Sequence, residues 1–160
     1  SVVRGATASL PKGTTVMVEP GRSIVASAAV TVYTVGTIKE IPNVRDYVAV
    51  DGGMSDNLRP MLYGASYEAF MPAHPTAVRS RPVRLVGKHC ESGDILIDEA
   101  HVPTELGVGD LLAVPVTGAY GYSMASNYNM VTRPAVVFVE NGCSRIVRRR
   151  ESYADLVALD

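Results

Sequence analysis

The sequence predicts a mainly β fold, a β-barrel or sandwich, preceded by the last helix–strand unit of a TIM-type α/β barrel, and three observations carry that expectation. Residues 1–10 place Val2, Val3, Ala6 and Leu10 at roughly helical spacing before the stop Pro11-Lys12-Gly13, and the apolar run Thr15-Val16-Met17-Val18 follows at once. From Tyr33 onward, short apolar runs alternate with turn-forming glycines and prolines. Near the end, Asn141-Gly142 sits between two such runs as a good hairpin signal. The expected division is residues 1–28 as the end of the barrel and 29–160 as the β-domain.

Taken in order, residues 1–10 read as the tail of a helix. The run 15–18 is continuously apolar, as in a strand buried on both faces, and ends at the polar Glu19-Pro20-Gly21-Arg22, where an α/β barrel carries its site. Residues 23–35 are β-branched and rich in Ala, and are expected to extend as a strand leaving the barrel. Tyr47-Val48-Ala49-Val50 is a strand ending at Asp51-Gly52-Gly53, where two glycines permit a sharp bend and close backbone approach. A helix capped by Ser55 or Asp56 follows, with Leu58, Met61 and Leu62 on its apolar face and Pro60 near its first turn. On it Arg59 and Tyr63, four apart, share one side, which by itself reads as surface charge plus packing.

Residues 67–71 are expected as a strand and Pro72-Ala73-His74-Pro75-Thr76 as a loop. Strands over 83–86 and 94–97 flank a polar loop, and Leu106-Gly107-Val108-Gly109-Asp110 turns the chain into a strand over 111–116. Gly118-Ala119-Tyr120-Gly121-Tyr122 opens a helical stretch through Asn129, strands 135–139 and 144–148 close around Asn141-Gly142, and Ser152-Tyr153-Ala154-Asp155 starts a short helix in the manner of a capping box.

Composition narrows the classes. At 160 residues the chain suits a domain with a sizeable core, and 47% hydrophobic against 19% charged residues argues against disorder. A net charge of -1 gives no reason to expect nucleic acid or an acidic membrane surface, and Arg148-Arg149-Arg150 reads as a solvated face. Cys90 and Cys143 make no disulfide framework, so a reducing, cytoplasmic setting is expected. No apolar segment is long enough to span a bilayer, and no basic region leads into an apolar run at the start. Without an initiating Met, the chain is expected to be a piece of a longer one. No metal is expected, because Cys90, Cys143, His89 and His101 lack the paired close spacing of structural zinc.

Chemistry concentrates in Gly87-Lys88-His89-Cys90-Glu91-Ser92-Gly93-Asp94, which sets a thiol, an imidazole and two carboxylates within six residues. On local grounds alone, Cys90 is a small buried apolar residue before it is a nucleophile or acid. A thiol hydrolase pairing Cys90 with His74 or His101 lacks the local signature of a cysteine protease.

His89-Cys90-Glu91-Ser92-Gly93-Asp94, taken with Glu19-Pro20-Gly21-Arg22-Ser23 and Thr117-Gly118-Ala119-Tyr120 in that order, resembles the C-terminal part of the diaminopimelate decarboxylase family. These are pyridoxal 5'-phosphate enzymes of the alanine-racemase-like fold, and the resemblance spans essentially the whole chain. It implies an N-terminal α/β barrel carrying the cofactor's Schiff-base lysine, and a β-domain that completes the other subunit's site in a homodimer. Lys12, Lys39 and Lys88 do not lie in a context resembling that lysine, and the family's glycine-rich phosphate loop is missing, so this chain alone is expected to be inactive. The implied reaction takes a small-molecule substrate, meso-2,6-diaminopimelate, to L-lysine and carbon dioxide.

The resemblance also assigns residues. Glu19 faces the pyridinium nitrogen, keeping the ring protonated, while Gly21 and Arg22, with Pro20 in the same stretch, approach the cofactor phosphate by backbone. The Arg22 side chain, Arg59 and Tyr63 hold the substrate's distal carboxylate, and Glu91 accepts hydrogen bonds from its distal ammonium group. Tyr120 lies against phosphate and substrate. Cys90 is the proton donor after decarboxylation, acting across the dimer interface together with Glu91. His89 is structural because adjacent side chains of an extended loop point apart, and Asp94 fixes the loop through backbone amides. Tyr122, Tyr128 and Asn129 are expected to be packing or interface polar groups. Two alternatives stay open: a non-catalytic β-domain used for dimerisation, and a decarboxylase of another basic amino acid, which would differ at the distal-end ligands.

Overall fold

A computed structural model describes residues 2–160. Its centre is a five-stranded sheet in the order β4-β3-β2-β1-β5, built from β1 (Val30–Ile41), β2 (Arg45–Val50), β3 (Arg81–Val86), β4 (Ile95–Val102) and β5 (Leu111–Pro115). The 12-residue β1 joins its two halves: residues 30–34 pair antiparallel with β5, and residues 35–41 pair antiparallel with β2, with a register shift between Val35 and Thr37. A bulge at that point bends and twists the strand, so one element serves two directions of sheet. β2 and β3 are parallel, which requires the long crossover through residues 51–80.

Alternation explains the core. Tyr33 and Val35 of β1, Val48 and Val50 of β2, and Val83 and Leu85 of β3 lie two apart on one face of the sheet and are buried together with Leu96, Val102, Leu112 and Val114. Leu85, at 0% exposure between partners Val48 and Ile97, sits at the middle of this layer.

Topology also collects the loops. β2, β3 and β5 all run toward the first residue of β1, and β4 starts there, because β2 and β5 are antiparallel to β1 and β3 is parallel to β2. The segments before β1, after β2, between β3 and β4, and after β5 therefore leave the sheet in the same direction. These segments contain residues 19–29, 51–63, 87–94 and 116–120.

Several expected elements are present. α1 (Val2–Thr7) is the expected helix, and α3 (Arg59–Tyr63) carries Pro60 in its first turn and stops at Gly64, whose φ of 61° makes the left-handed cap. The hairpin β6 (Val136–Glu140) to β7 (Cys143–Arg148) turns at Asn141 and Gly142, with φ of 50° and 76°, as a primed turn demands. α5 (Tyr153–Leu156) opens with a capping box between Ser152 and Asp155.

Others differ. Residues 15–18 form no strand and Met17 is 86% exposed, because a doubly buried strand needs neighbours on both edges and no described strand lies beside it. Residues 23–35 are not one strand: α2 (Arg22–Val25) and a 3-10 turn at Ala26–Ala28 precede β1. That turn persists because the amides of Gly118 and Thr117 donate to the carbonyls of Ala26 and Ala29 at 2.9 and 3.2 Å. Residues 67–71 bury Tyr67, Ala69 and Met71 in strand-like alternation, yet their backbone pairs only at Phe70, with Ala113. The helical stretch 118–129 breaks into α4 (Gly121–Met124) and a 3-10 turn at Tyr128–Met130. Neither Ser55 nor Asp56 caps α3: the cap position is Leu58, Ser55 is buried, and Asp56 instead accepts the Gly53 amide at 3.1 Å.

Leu85→Ala should cost about 2–5 kcal/mol of stability through lost transfer energy and a residual cavity. Urea unfolding should show this as a lower midpoint at constant slope, whereas Met17→Ala in the same chain should shift stability by under about 0.5 kcal/mol.

Candidate functional site

The loop 87–94 is closed at its neck by the Gly87 amide, which donates to the Asp94 carbonyl at 2.9 Å, and tied to the bend after β2 by the Lys88 amide donating to the Gly52 carbonyl at 2.9 Å. Its anchor is the Asp94 carboxylate, 3% exposed. Oδ1 accepts the Met54 amide at 2.6 Å, and Oδ2 accepts both the His89 amide at 2.8 Å and His89 Nδ1 at 3.0 Å. Facing a carboxylate, Nδ1 carries the ring proton. A Cβ on Gly87 would overlap Asp94, and one on Gly53 would stand 2.6 Å from Asp94 Oδ1 and 2.7 Å from His89 Nδ1, so this close approach of two backbones requires glycine.

With His89 turned inward and held, the next two residues are presented outward: Cys90 and Glu91 are both exposed, and Cys90 is a free thiol. The local reading of Cys90 as a small buried residue is thereby overturned. The expected structural part for His89 and the amide-binding part for Asp94 match what these two side chains touch.

Glu91 has a partner that sequence reasoning missed. The Tyr128 hydroxyl donates to Glu91 Oε1, and the Tyr128 ring stacks on His89 with centroids 5.9 Å apart and planes 19° from parallel. Donating to a carboxylate pushes the Tyr128 phenol above its ordinary value. No local motif marks Tyr128; its only signal was its place in a tyrosine-rich stretch with Tyr120 and Tyr122.

α3 stands beside the same loop, since the Cβ position of Gly93 is 3.8 Å from Met61 Sδ. On α3 the Arg59 guanidinium lies 5.1 Å from the centre of the Tyr63 ring, the contact that their spacing of four predicts. Arg59 Nε is buried without a hydrogen-bond partner, and Tyr63 is exposed.

A second group forms where α2 meets the segment after β5. Arg22 Nη2 donates to the Val116 carbonyl at 3.2 Å, leaving Nε buried and unpaired. The Tyr120 hydroxyl occupies the place a Cβ of Gly21 would need, and Tyr120 itself has φ of 61°. Gly118 packs on the Val25 carbonyl with no room for a side chain. Glu19 and Pro20 are exposed, and among the described residues Glu19 makes no hydrogen bond or ion pair. Gly21, Arg22 and Tyr120 are thus brought together, and the loop that carries Cys90 and Glu91 reaches α3 through Gly93 and Met61, both groups at the end of the sheet where β1 begins. No hydrogen bond joins the two groups among the described residues.

Comparisons with known proteins establish the family and the fold. The profile of the family described as "Pyridoxal-dependent decarboxylase, C-terminal sheet domain" matches residues 22–118. The chain belongs to that family. It is 57% identical over 145 residues to the diaminopimelate decarboxylase of Bacillus subtilis, covering 91% of this chain and 33% of that protein. The diaminopimelate decarboxylase of Helicobacter pylori complexed with L-lysine superposes with a TM-score of 0.80 at 38% identity over 98% of this chain and 37% of that one. That of M. jannaschi gives 0.81 at 39% identity, over 89% of this chain and 32% of that one. The chain therefore spans about a third of the length of the curated relatives it matches, and corresponds to their C-terminal portion, with the β-domain of the alanine-racemase-like fold that the sequence led us to expect.

Asp94→Ala strips three hydrogen-bond donors of their acceptor in a buried site, and should cost about 3 kcal/mol. Amide exchange at His89 and Met54 should accelerate with it. A second check concerns Glu151, which accepts the Arg133 amide at 2.8 Å, Asn127 Nδ2 at 2.6 Å and Arg133 Nη1 at 2.9 Å, the first of these doing most to hold its carboxyl below the ordinary value of 4.5. A lowered folded value means stability that is present above the unfolded value and lost as pH falls through the folded one. The gap in thermal midpoint between wild type and Glu151→Gln should therefore narrow as pH is taken from about 5 to about 3.

Proposed function

We propose that this chain is the C-terminal part of a pyridoxal 5'-phosphate-dependent carboxy-lyase that converts meso-2,6-diaminopimelate to L-lysine and carbon dioxide in the cytoplasm. The observation that carries the reading is the joint exposure of Cys90 and Glu91 on a loop held rigid by Asp94, in a chain of this decarboxylase family. Residues 1–28 belong to the cofactor-binding barrel and 29–160 to the β-domain, a division supported by the exposed apolar run 15–18, which awaits neighbouring strands. The cofactor lysine and phosphate loop belong to the barrel outside these residues.

The residues present fit the cofactor. Gly21 offers bare backbone beside the Tyr120 hydroxyl. The backbone of Gly21 and Arg22, with Tyr120, would hold the phosphate, Pro20 would set the approach of the chain, and Glu19 would face the ring nitrogen. When bound, pyridoxal phosphate supplies the electron sink for the carbon that loses its carboxylate.

The chain's own residues do the rest. Arg22 and Arg59, with Tyr63 beside Arg59, bind the distal carboxylate, for which a planar guanidinium is geometrically suited. Glu91 takes the distal ammonium group. Binding energy at this non-reacting end orients the reacting end. Cys90 holds a proton on Sγ and delivers it to the carbon from which carbon dioxide has left. Exposure of the loop tip supports its service to the site of a second copy in a homodimer, and the exposed free thiols of Cys90 and Cys143 accord with a reducing compartment.

In the complete enzyme, Cys90→Ala should lower kcat at least about 100-fold, the usual contribution of a positioned proton donor, while cofactor affinity changes by less than about twofold. Unchanged turnover removes the role from Cys90. Preferred turnover of L-ornithine or L-lysine over meso-diaminopimelate would move the substrate assignment to another basic amino acid.

A further inference from the structure

Glu91 presents a problem that the motif does not solve. It is an exposed side chain with several rotatable bonds, and a ligand that binds it must freeze them. A group that fixes the carboxylate beforehand without neutralising it would improve binding, and an arginine or lysine in that position would cancel the charge the ligand needs.

We propose that Tyr128 is a positioning residue for Glu91: its hydroxyl, carried on a ring stacked against His89, binds Glu91 Oε1 and leaves Oε2 as the free acceptor for a cationic amine at the distal end of the substrate. The inference deepens the decarboxylase reading and rests on Glu91 as the ammonium ligand. Among the described residues no donor reaches Oε2. The phenol is neutral, so the pair keeps the full negative charge of the carboxylate.

The backbone is built to hold Tyr128 in place. It is followed by two non-glycine residues in the left-handed region, Asn129 with φ of 54° and Met130 with φ of 56°, a conformation that persists only where the surroundings enforce it. Those surroundings are present on both sides. The Ser126 amide donates to the Ser55 carbonyl at 3.0 Å, and Asn127 Nδ2 donates to the Val131 carbonyl at 3.1 Å and to Glu151 at 2.6 Å. The platform under the ring, His89, is itself held by Asp94. Thus the same buried carboxylate that fixes the loop carrying Glu91 also fixes the surface on which the partner of Glu91 rests.

The test uses the complete holoenzyme with Tyr128→Phe, which keeps the ring and removes the hydroxyl. KM for meso-diaminopimelate and the Kd of L-lysine, measured by calorimetry, should both rise about tenfold, with kcat within about twofold. The Kd of 6-aminohexanoate, which keeps the carboxylate and terminal amine of lysine but lacks the α-ammonium group, should not change. In a Glu91→Gln background, Tyr128→Phe should add less than about a twofold further loss, because the two act as one unit. Equal weakening of both ligands, or a fall in thermal midpoint without the selective loss, overturns positioning in favour of a packing role. Wild-type lysine affinity in Tyr128→Phe, where Glu91→Gln is impaired, overturns this inference alone; wild-type lysine affinity in Glu91→Gln overturns the reading of Glu91 beneath it.

Discussion

A single buried carboxylate organises this end of the molecule. Ionised carboxylates are costly to remove from water unless donors replace the lost hydration, and Asp94 receives three: two backbone amides and an imidazole. Because those donors come from both sides of a chain crossing, Met54 after β2 and His89 after β3, the interaction holds two loops at a fixed separation. The glycines at 53 and 87 make the separation short enough for it to form. Without the carboxylate, the hydrogen bond from the Lys88 amide to the Gly52 carbonyl is left as the backbone tie between the Cys90 loop and the segment leading to α3.

The sheet provides direction where Asp94 provides position. β1 is long enough to pair with β5 over its first half and β2 over its second, and the strand senses send every candidate segment out toward the beginning of β1. Gly118, packed on the Val25 carbonyl, ties the segment after β5 to the turn before β1, so Gly21 meets Tyr120 and Arg22 reaches the Val116 carbonyl. Side chains a hundred residues apart are neighbours because strand order makes them so, without any continuous stretch of chain connecting them.

How much of this was legible in the sequence follows from the range of the interactions involved. Local devices were readable: the Asn141-Gly142 turn, the Ser152 capping box, the four-residue spacing of Arg59 and Tyr63, and Asp94 as a receiver of amides all depend on residues close along the chain or on general chemistry. Strands were readable as apolar runs over 47–50, 83–86, 94–97 and 111–116, but whether such a run finds a partner was not. Residues 15–18 and 67–71 carry the composition of strands, yet pairing is a property of two segments, and composition reports one. Tyr128 escaped for a similar reason. Its contact with Glu91 depends on left-handed backbone at Asn129 and Met130, and methionine gives no hint of such a conformation. The exposed tyrosine that touches Glu91 within the chain was among the residues read as packing or interface polar groups.

The parallel pairing of β2 with β3 has a temporal side. Antiparallel neighbours joined by a short turn find each other quickly, but β3 docks on β2 only after residues 51–80 have looped back, and that closure is entropically slow. The β3–β4 hairpin closes the neck of the Cys90 loop locally, but the loop's ties to Gly52 and Met54 lie directly beyond the β2–β3 pairing and form only with it. Until then the loop that bears the exposed thiol is closed on itself but not anchored to its neighbour, and the crossover fixes its place in the molecule.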